Sequence, residues 1–149
     1  MSTKRIPVFF GTESGNAEYC AETVAKKLSA AGYEAEAIDM EMYEPEHLVE
    51  ESMVLVVTST HGNGDPPANA AAMLEYLQAS TTRLDHIKFA VCALGDSSFA
   101  YFAQCGKDFD EALGKRGAQR MFERIECDDD YDEGLEQYQT AILSYLHTH

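Results

Sequence analysis

The sequence is poor in the features that mark several common protein classes. It has no tryptophan and only four cysteines, Cys20, Cys92, Cys105 and Cys127, none of which forms a CxxC pair. Neither a zinc site nor a thioredoxin-type motif is therefore indicated, and we expect Cys92 to lie in the core. No apolar run is long enough to span a bilayer, and the amino terminus shows no signal-peptide pattern. We expect a cytoplasmic protein.

Basic residues are also scarce. Eleven Lys and Arg stand against 26 Asp and Glu, so the formal net charge is -15 at pH 7. Nucleic acids and anionic membranes are bound by basic surfaces, so neither is an expected partner. A basic protein partner suits this charge, although acidity also serves solubility. The 149 residues fit a single domain, which we expect over residues 1–149.

The lysine-containing signature of nucleotide triphosphate sites, GxxxxGK[ST], is missing as well. In its place, residues 11–17 read GTESGNA, between an apolar run at 6–10 and a helical pattern that starts near Ala17. Glycines, hydroxyls and an amide at a strand-to-helix turn can surround an anion at the amino end of a helix. Because the loop carries no Lys or Arg, the expected anion is a monophosphate. The alternative is an ordinary turn in which Asn16 caps the helix.

Apolar periodicity predicts alternating strands and helices along the chain. The predicted strands cover 6–10, 33–40, 53–59, 87–94 and 120–127, with the second at an edge and the third at the centre. Helices are predicted to start near Ala17, Ala68 and Gln104, and a last one contains Leu135 to Leu146. This alternation is typical of an α/β fold, a doubly wound five-stranded parallel sheet covered by helices on both faces.

Four unusual turns follow the first, third, fourth and fifth predicted strands. In a sheet of this kind, ligands bind outside the carboxyl ends of the strands. The rings of His61 and Phe99 lie on two of these turns and could sandwich a flat aromatic ligand whose phosphate the first turn holds. Taken singly, Phe99 is interpreted as a packing residue, His61 as a loop hydrogen-bonding group and the acidic run 128–132 as a solvated turn.

Two other α/β folds fit the sequence less well. A dinucleotide-binding fold needs GxGxxG after the first strand, but Gly11 and Gly15 have the wrong spacing. A phospho-receiver domain needs acidic residues after the first and third strands, where this chain has Gly11-Thr12 and Ser59-Thr60.

The chain resembles the flavodoxins, and within them the FMN-binding domains of diflavin and sulfite reductases and the stand-alone MioC-type short-chain flavodoxins. The resemblance covers nearly the whole chain and implies the sheet order 2-1-3-4-5. It rests on four motifs: GTESGNAE at 11–18, STHGNGDPPANA at 59–70, LGDSSF at 94–99 with Phe102, and CDDDY at 127–131.

The resemblance also implies a set of FMN-binding residues. The phosphate is held by Thr12, Glu13, Ser14, Gly15, Asn16 and Ala17. His61 and Phe99 flank the two faces of the isoalloxazine, and Gly62 matches the position whose carbonyl turns toward flavin N5. The remaining contacts are Ser59, Thr60, Asn63, Gly64, Leu94, Gly95, Asp96, Phe102 and Asp129. Three residues depart from the commonest pattern, since Ser14 replaces Thr and both His61 and Phe99 replace Tyr.

The function that the resemblance implies is electron transfer rather than catalysis. A short-chain flavodoxin is expected to shuttle single electrons from a separate NAD(P)H-dependent flavodoxin or ferredoxin reductase to an acceptor enzyme with a basic docking face. We expect a monomer without a metal. Two alternatives stay open: a flavodoxin-like binding module without redox activity, and an excised FMN domain of a diflavin reductase. The neat end of the last helix near residues 146–149 favours a complete protein.

Overall fold

Strands and helices alternate along the chain in the computed structural model, which describes residues 5–11, 15–59, 67–95, 104–127 and 131–148. Two short 3-10 turns, Met40–Met42 and Pro45–Glu50, lie between the second and third strands. The elements are β1 Arg5–Gly11, α1 Asn16–Ala30, β2 Glu34–Asp39, β3 Met53–Thr58, α2 Ala71–Ala79, β4 Lys88–Leu94, α3 Gln104–Lys115, β5 Gln119–Arg120, β6 Ile125–Cys127 and α4 Asp132–Thr148.

The strands form one parallel sheet in the order β2-β1-β3-β4, with β5 and β6 both paired to the outer side of β4. This arrangement confirms the predicted doubly wound sheet, its order 2-1-3-4-5 and the edge position of β2. In β1, β3 and β4 nearly every residue is buried. Their continuous apolar runs follow from helices that cover both faces of a parallel sheet.

The fifth position of the sheet differs from the prediction of one strand over 120–127. Arg120 pairs with Phe89 and Ile125 pairs with Cys92, so the chain advances five residues while β4 advances three. Two extra residues must therefore leave the ladder, and the break falls at residues 121–124. The physical reason lies in the side chains, because Arg120 just before the break and Arg124 at its end both turn toward Asp110 of α3.

Two hydrophobic clusters fill the spaces on either side of the sheet. On one face, Val8 and Phe10 pack with α1 and with Tyr138 of α4. On the other face, Phe9 packs in the cluster that holds the buried residues of α2 and α3. Cys92 is fully buried in the first cluster, as predicted. Alternate residues of β1 therefore serve opposite faces of the sheet.

The predicted starts of α1 and α3 agree with the structure within one residue, α4 contains Leu135 to Leu146 as predicted, and α2 starts later than expected. Residues 68–70 form a turn in which the Ala70 amide donates to the Pro67 carbonyl at 2.9 Å, so the helix begins at Ala71. Within the described ranges, every helix is too short or too polar to cross a membrane.

The buried hydroxyl of Tyr138 provides a test of the packing between α4 and the sheet. It donates to the carbonyl of Ala90 at 2.8 Å and lies 3.4 Å from that of Val56. Because the lost hydrogen bond is buried, we expect Tyr138→Phe to lower the free energy of unfolding by about 1 kcal/mol. Urea denaturation followed by circular dichroism measures this difference. The half-buried Tyr33, changed to Phe, is the control, with an expected change within about 0.5 kcal/mol; equal losses in the two variants would contradict the assignment.

Candidate functional site

The carboxyl ends of four strands meet along one edge of the sheet. The register places Gly11 of β1 beside Thr58 of β3, and Thr58 beside Ala93 of β4. One residue further along β4, Leu94 pairs with Cys127 of β6. The chain leaves this edge into each of the four turns that the sequence singles out.

Six of the predicted site residues lie within the described ranges: Gly15, Asn16, Ala17, Ser59, Leu94 and Gly95. The other twelve lie outside the described residues, and their predicted roles stay predictions. They are Thr12, Glu13, Ser14, Thr60, His61, Gly62, Asn63, Gly64, Asp96, Phe99, Phe102 and Asp129.

Backbone hydrogen bonds join the strand ends in pairs just before the predicted loops begin. The amide of Ser59 donates to the carbonyl of Gly11 at 3.0 Å, and the Ser59 hydroxyl lies 3.4 Å from the same oxygen. On the other side of the edge, the Gly95 amide donates to the carbonyl of Cys127 at 2.9 Å. The first predicted loop therefore starts next to the second, and the third starts next to the fourth.

The end of β1 is closely packed under α2. A Cβ atom on Gly11 would lie 2.6 Å from the Cβ of Ala70 and 3.0 Å from the hydroxyl of Thr58. Thr58 is fully buried, and its hydroxyl also lies 3.4 Å from the sulfur of Cys105. Glycine is thus required at position 11 by close packing. Sequence patterns did not identify Thr58, Ala70 or Cys105 as supports of the edge, because each looks like an ordinary core residue.

The amino end of α1 forms the last part of the predicted phosphate loop, because Asn16 and Ala17 are its first two residues. Gly15 adopts the left-handed conformation, with φ of 91°, and precedes the first helical residue, so Asn16 is not the cap residue. No side chain among the described residues hydrogen-bonds this end of the helix as a cap. Ala17 is fully buried, and Glu18 is the charged residue of the first turn. Backbone amides and the helix dipole give this end of α1 a positive partial charge.

Two buried thiols support the other side of the edge. The sulfur atoms of Cys92 and Cys127 are 3.5 Å apart, and a Cβ on Gly134 would come within 3.1 Å of the Cys127 Cβ, so Cys127 lies against the first turn of α4. The hydrogen bond between the Cys92 and Cys127 thiols lowers the pKa of Cys127, although burial opposes this shift. Burial raises the pKa of Cys20 and of Cys105 to about 12.

The segments that adjoin this edge are acidic and carry no Lys or Arg. Residues 11–25, 58–73, 94–106 and 126–140 contain no Lys or Arg, and they hold twelve of the 26 acidic residues.

Two tyrosines, the exposed Tyr19 and the half-buried Tyr131, lie with ring centroids 6.3 Å apart where α1 and α4 begin. Within the described ranges, no group of three His, Cys, Asp or Glu is placed to hold a metal ion.

Comparison with known proteins gives consistent matches over most of the chain. The sequence profile of the family described as Flavodoxin matches residues 8–140. The NADPH sulfite reductase flavoprotein alpha-component of Bacillus subtilis is 37% identical over 145 residues, which are 97% of this chain and 24% of that protein. The chain therefore spans about a quarter of this relative.

Two solved structures share the fold. A flavodoxin from Streptococcus pneumonia TIGR4 has a TM-score of 0.86 at 23% identity and covers 97% of this chain and 99% of its own. A short-chain flavodoxin associated with a PDU bacterial microcompartment has a TM-score of 0.86 at 22% identity, covering 98% and 99%. At these identities the likeness shows a common fold.

Thiol labelling tests the environment beside β6. Cys127 has a lowered pKa and is 2% exposed, whereas Cys20 and Cys105 have raised pKa values and are fully buried, and accessible thiolates are the reactive form. We expect Cys127 to be the first cysteine of the folded protein to react with iodoacetamide, located by peptide mass mapping. Cys127→Ser should remove the fastest phase, whereas Cys105→Ser should leave it unchanged. First labelling at Cys20 or Cys105 would contradict this order.

Proposed function

The chain belongs to the flavodoxin family, and we propose that it is a small acidic protein that carries single electrons on bound FMN. The observation that carries the proposal is the amino end of α1, where Gly15 in the left-handed conformation begins the helix within a motif, residues 11–17, that has no Lys or Arg. When bound, FMN supplies one-electron chemistry, and the protein supplies binding and electrostatics.

The residues at the carboxyl edge fit such a cofactor. A phosphate monoester at the start of α1 would be held by backbone amides and the positive end of the helix dipole, without a lysine. Gly15 suits this role because its left-handed conformation turns the chain into the helix. We propose that Gly15, Asn16 and Ala17 hold the phosphate together with residues 12–14.

The second part of the proposed site lies on β3 and β4. Ser59 is joined to Gly11 by hydrogen bonds, and Leu94 and Gly95 are joined to β6. We propose that these three residues line the pocket at its base. His61, Gly62 and Phe99, with the other residues named in the sequence motifs, are proposed to complete it.

The charge around the site also has a consequence for the bound cofactor. The adjoining segments carry carboxylates and no Lys or Arg, so added negative charge on a ligand there is disfavoured by Coulomb repulsion. We therefore propose a low midpoint potential, set in part by acidic side chains such as Asp132 and Glu133.

The partners are proposed to be redox proteins with basic docking faces, one that donates electrons and one that accepts them. Complementary charge acts mainly on the association rate of such transient complexes. We propose that the chain is an electron carrier rather than an enzyme and that residues 1–149 form one domain. A second possibility follows from the Bacillus subtilis relative, because the matched region is a quarter of that protein: the same unit also suits a larger flavoprotein.

Flavin titration tests the proposed phosphate site. We expect the protein to bind FMN in a one-to-one ratio and riboflavin at least about tenfold more weakly, because riboflavin lacks the phosphate and its charge-assisted hydrogen bonds. Quenching of flavin fluorescence measures both dissociation constants. Glu18→Gln removes a carboxylate from the first turn of α1 and should tighten FMN binding about threefold without affecting riboflavin. Equal affinity for the two flavins would show that the amino end of α1 does not bind the phosphate. If neither flavin binds, the alternative of a binding module without redox activity is favoured.

Electron transfer to a basic acceptor tests the docking charge. We expect the second-order rate constant for reduction of a basic c-type cytochrome by the reduced FMN form to fall with rising salt, because screening weakens the attraction. Neutralising Asp132 and Glu133 together, as Asn and Gln, should slow the reaction severalfold at low salt. The matched control changes the exposed Glu34 and Glu36 of β2 to Gln, which alters the net charge equally. Equal slowing in the two variants, or rates independent of salt, would contradict docking at the carboxyl edge.

A further inference from the structure

We propose that Arg124, held by the buried Asp110, is a positioning residue for the carboxyl edge of the sheet. It fixes the short strand β6 and, through β6, the backbone of Leu94 and Gly95. The consequence for FMN rests on the proposed function, whereas the consequence for the backbone does not.

Asp110 is a buried carboxylate shared by two arginines. It lies on α3 with its side chain 6% exposed. Its Oδ1 accepts from Nε of Arg120 at 2.7 Å, and its Oδ2 accepts from Nη1 of Arg124 at 3.0 Å. Arg120 also donates from Nη2 to the backbone carbonyl of Asp110 at 3.3 Å. Each carboxylate oxygen therefore holds a different segment of the chain.

These two segments are the halves of the interrupted last strand. Arg120 ends β5, and Arg124 comes directly before β6. With two residues in β5 and three in β6, each half has few ladder hydrogen bonds to β4. The side-chain hydrogen bonds to Asp110 hold these short strands in addition to their few backbone hydrogen bonds. Arg124 adds a second contact within β6 itself, because its Nε donates to Glu126 at 2.9 Å.

Helix α3, which carries Asp110, is packed closely on the central sheet. Close packing of α3 on β4 places Gly106 so near Ala93 that any side chain at position 106 would collide with it. Asp110 follows one turn later on the same helix, and Phe109 beside it is fully buried. Asp110 thus holds the two arginines from a fixed position on α3.

Of the two halves of the last strand, only the one that follows Arg124 reaches the candidate site at the carboxyl edge. From Arg124 the chain enters β6, where Cys127 pairs with Leu94 and accepts the hydrogen bond of the Gly95 amide at 2.9 Å. The Arg120 half instead pairs with Lys88 and Phe89, at the start of β4. The two arginines therefore make similar contacts to one carboxylate but act at opposite ends of β4.

This asymmetry supplies a matched pair of variants. Arg124→Gln and Arg120→Gln each remove one ionic contact to Asp110, and the arginine side chains have similar exposures of 31% and 42%. A purely structural role predicts that both variants lose stability and that neither affects the carboxyl edge selectively. A positioning role predicts an effect at Gly95 in the first variant alone.

Amide hydrogen exchange of the protein without flavin tests the backbone directly. We expect Arg124→Gln to speed exchange of the Gly95 amide about tenfold, while Arg120→Gln changes it less than about twofold. Arg124→Lys keeps the charge but not both hydrogen bonds, so an intermediate rate is expected, and this variant serves if the glutamine variant does not fold. Equal exchange at Gly95 in the Arg124 and Arg120 variants would overturn the proposal.

Flavin binding then tests the link to the proposed function. In Arg124→Gln we expect the FMN dissociation constant to rise about tenfold and the midpoint potential of bound FMN to shift, with both unchanged in Arg120→Gln. Faster exchange at Gly95 with unaltered affinity and potential would confine Arg124 to a structural role and overturn its link to the cofactor. If the unaltered protein binds no FMN, the proposed function fails, while the exchange experiment still decides the role of Arg124.

Discussion

Parallel pairing of β1, β3, β4 and β6 is the constraint on which the rest of this structure depends. Because parallel strands end at the same edge, Gly11, Thr58 and Ala93 lie in one row, with Cys127 beside the next residue of β4. Four chemically unusual turns, far apart in the sequence, must therefore start close together. The helices that return the chain to the opposite edge cover both faces, which is why β1, β3 and β4 are largely apolar.

The strands and helices of the fold could be predicted almost completely because the sequence patterns that indicate them are local. The runs at 6–10 and 53–59 are long, apolar and bounded by turn residues, and the strand order followed from a family resemblance rather than from the physics of the residues. The interruption at 121–124 could not be predicted. It depends on Asp110, a single acidic residue in an acidic helix, which contacts its arginines only once α3 has packed on β4.

The candidate site was predictable in its chemistry and less so in its supports. The motif at 11–17 indicated an anion, and in the structure α1 starts within this motif, at Asn16. Thr58 and Cys105, which pack under this edge, lie outside the four motifs, and Ala70 ends one of them without any sign of its packing role, since a buried Thr or Ala beside a strand is common in any core. Patterns identify the residues that contact ligands more easily than those that position them.

The interaction of Asp110 with two arginines is better explained by geometry than by stability. The free-energy cost of removing two charges from water offsets much of the electrostatic attraction between them. Apolar residues of similar volume therefore often stabilise a core equally well. An apolar contact, however, has no direction, and β5 and β6 are too short to set their own positions by backbone pairing. A carboxylate with two oriented acceptor oxygens holds each half in one place. In a chain with 26 acidic and 11 basic residues, two of those basic residues are committed to a single buried carboxylate.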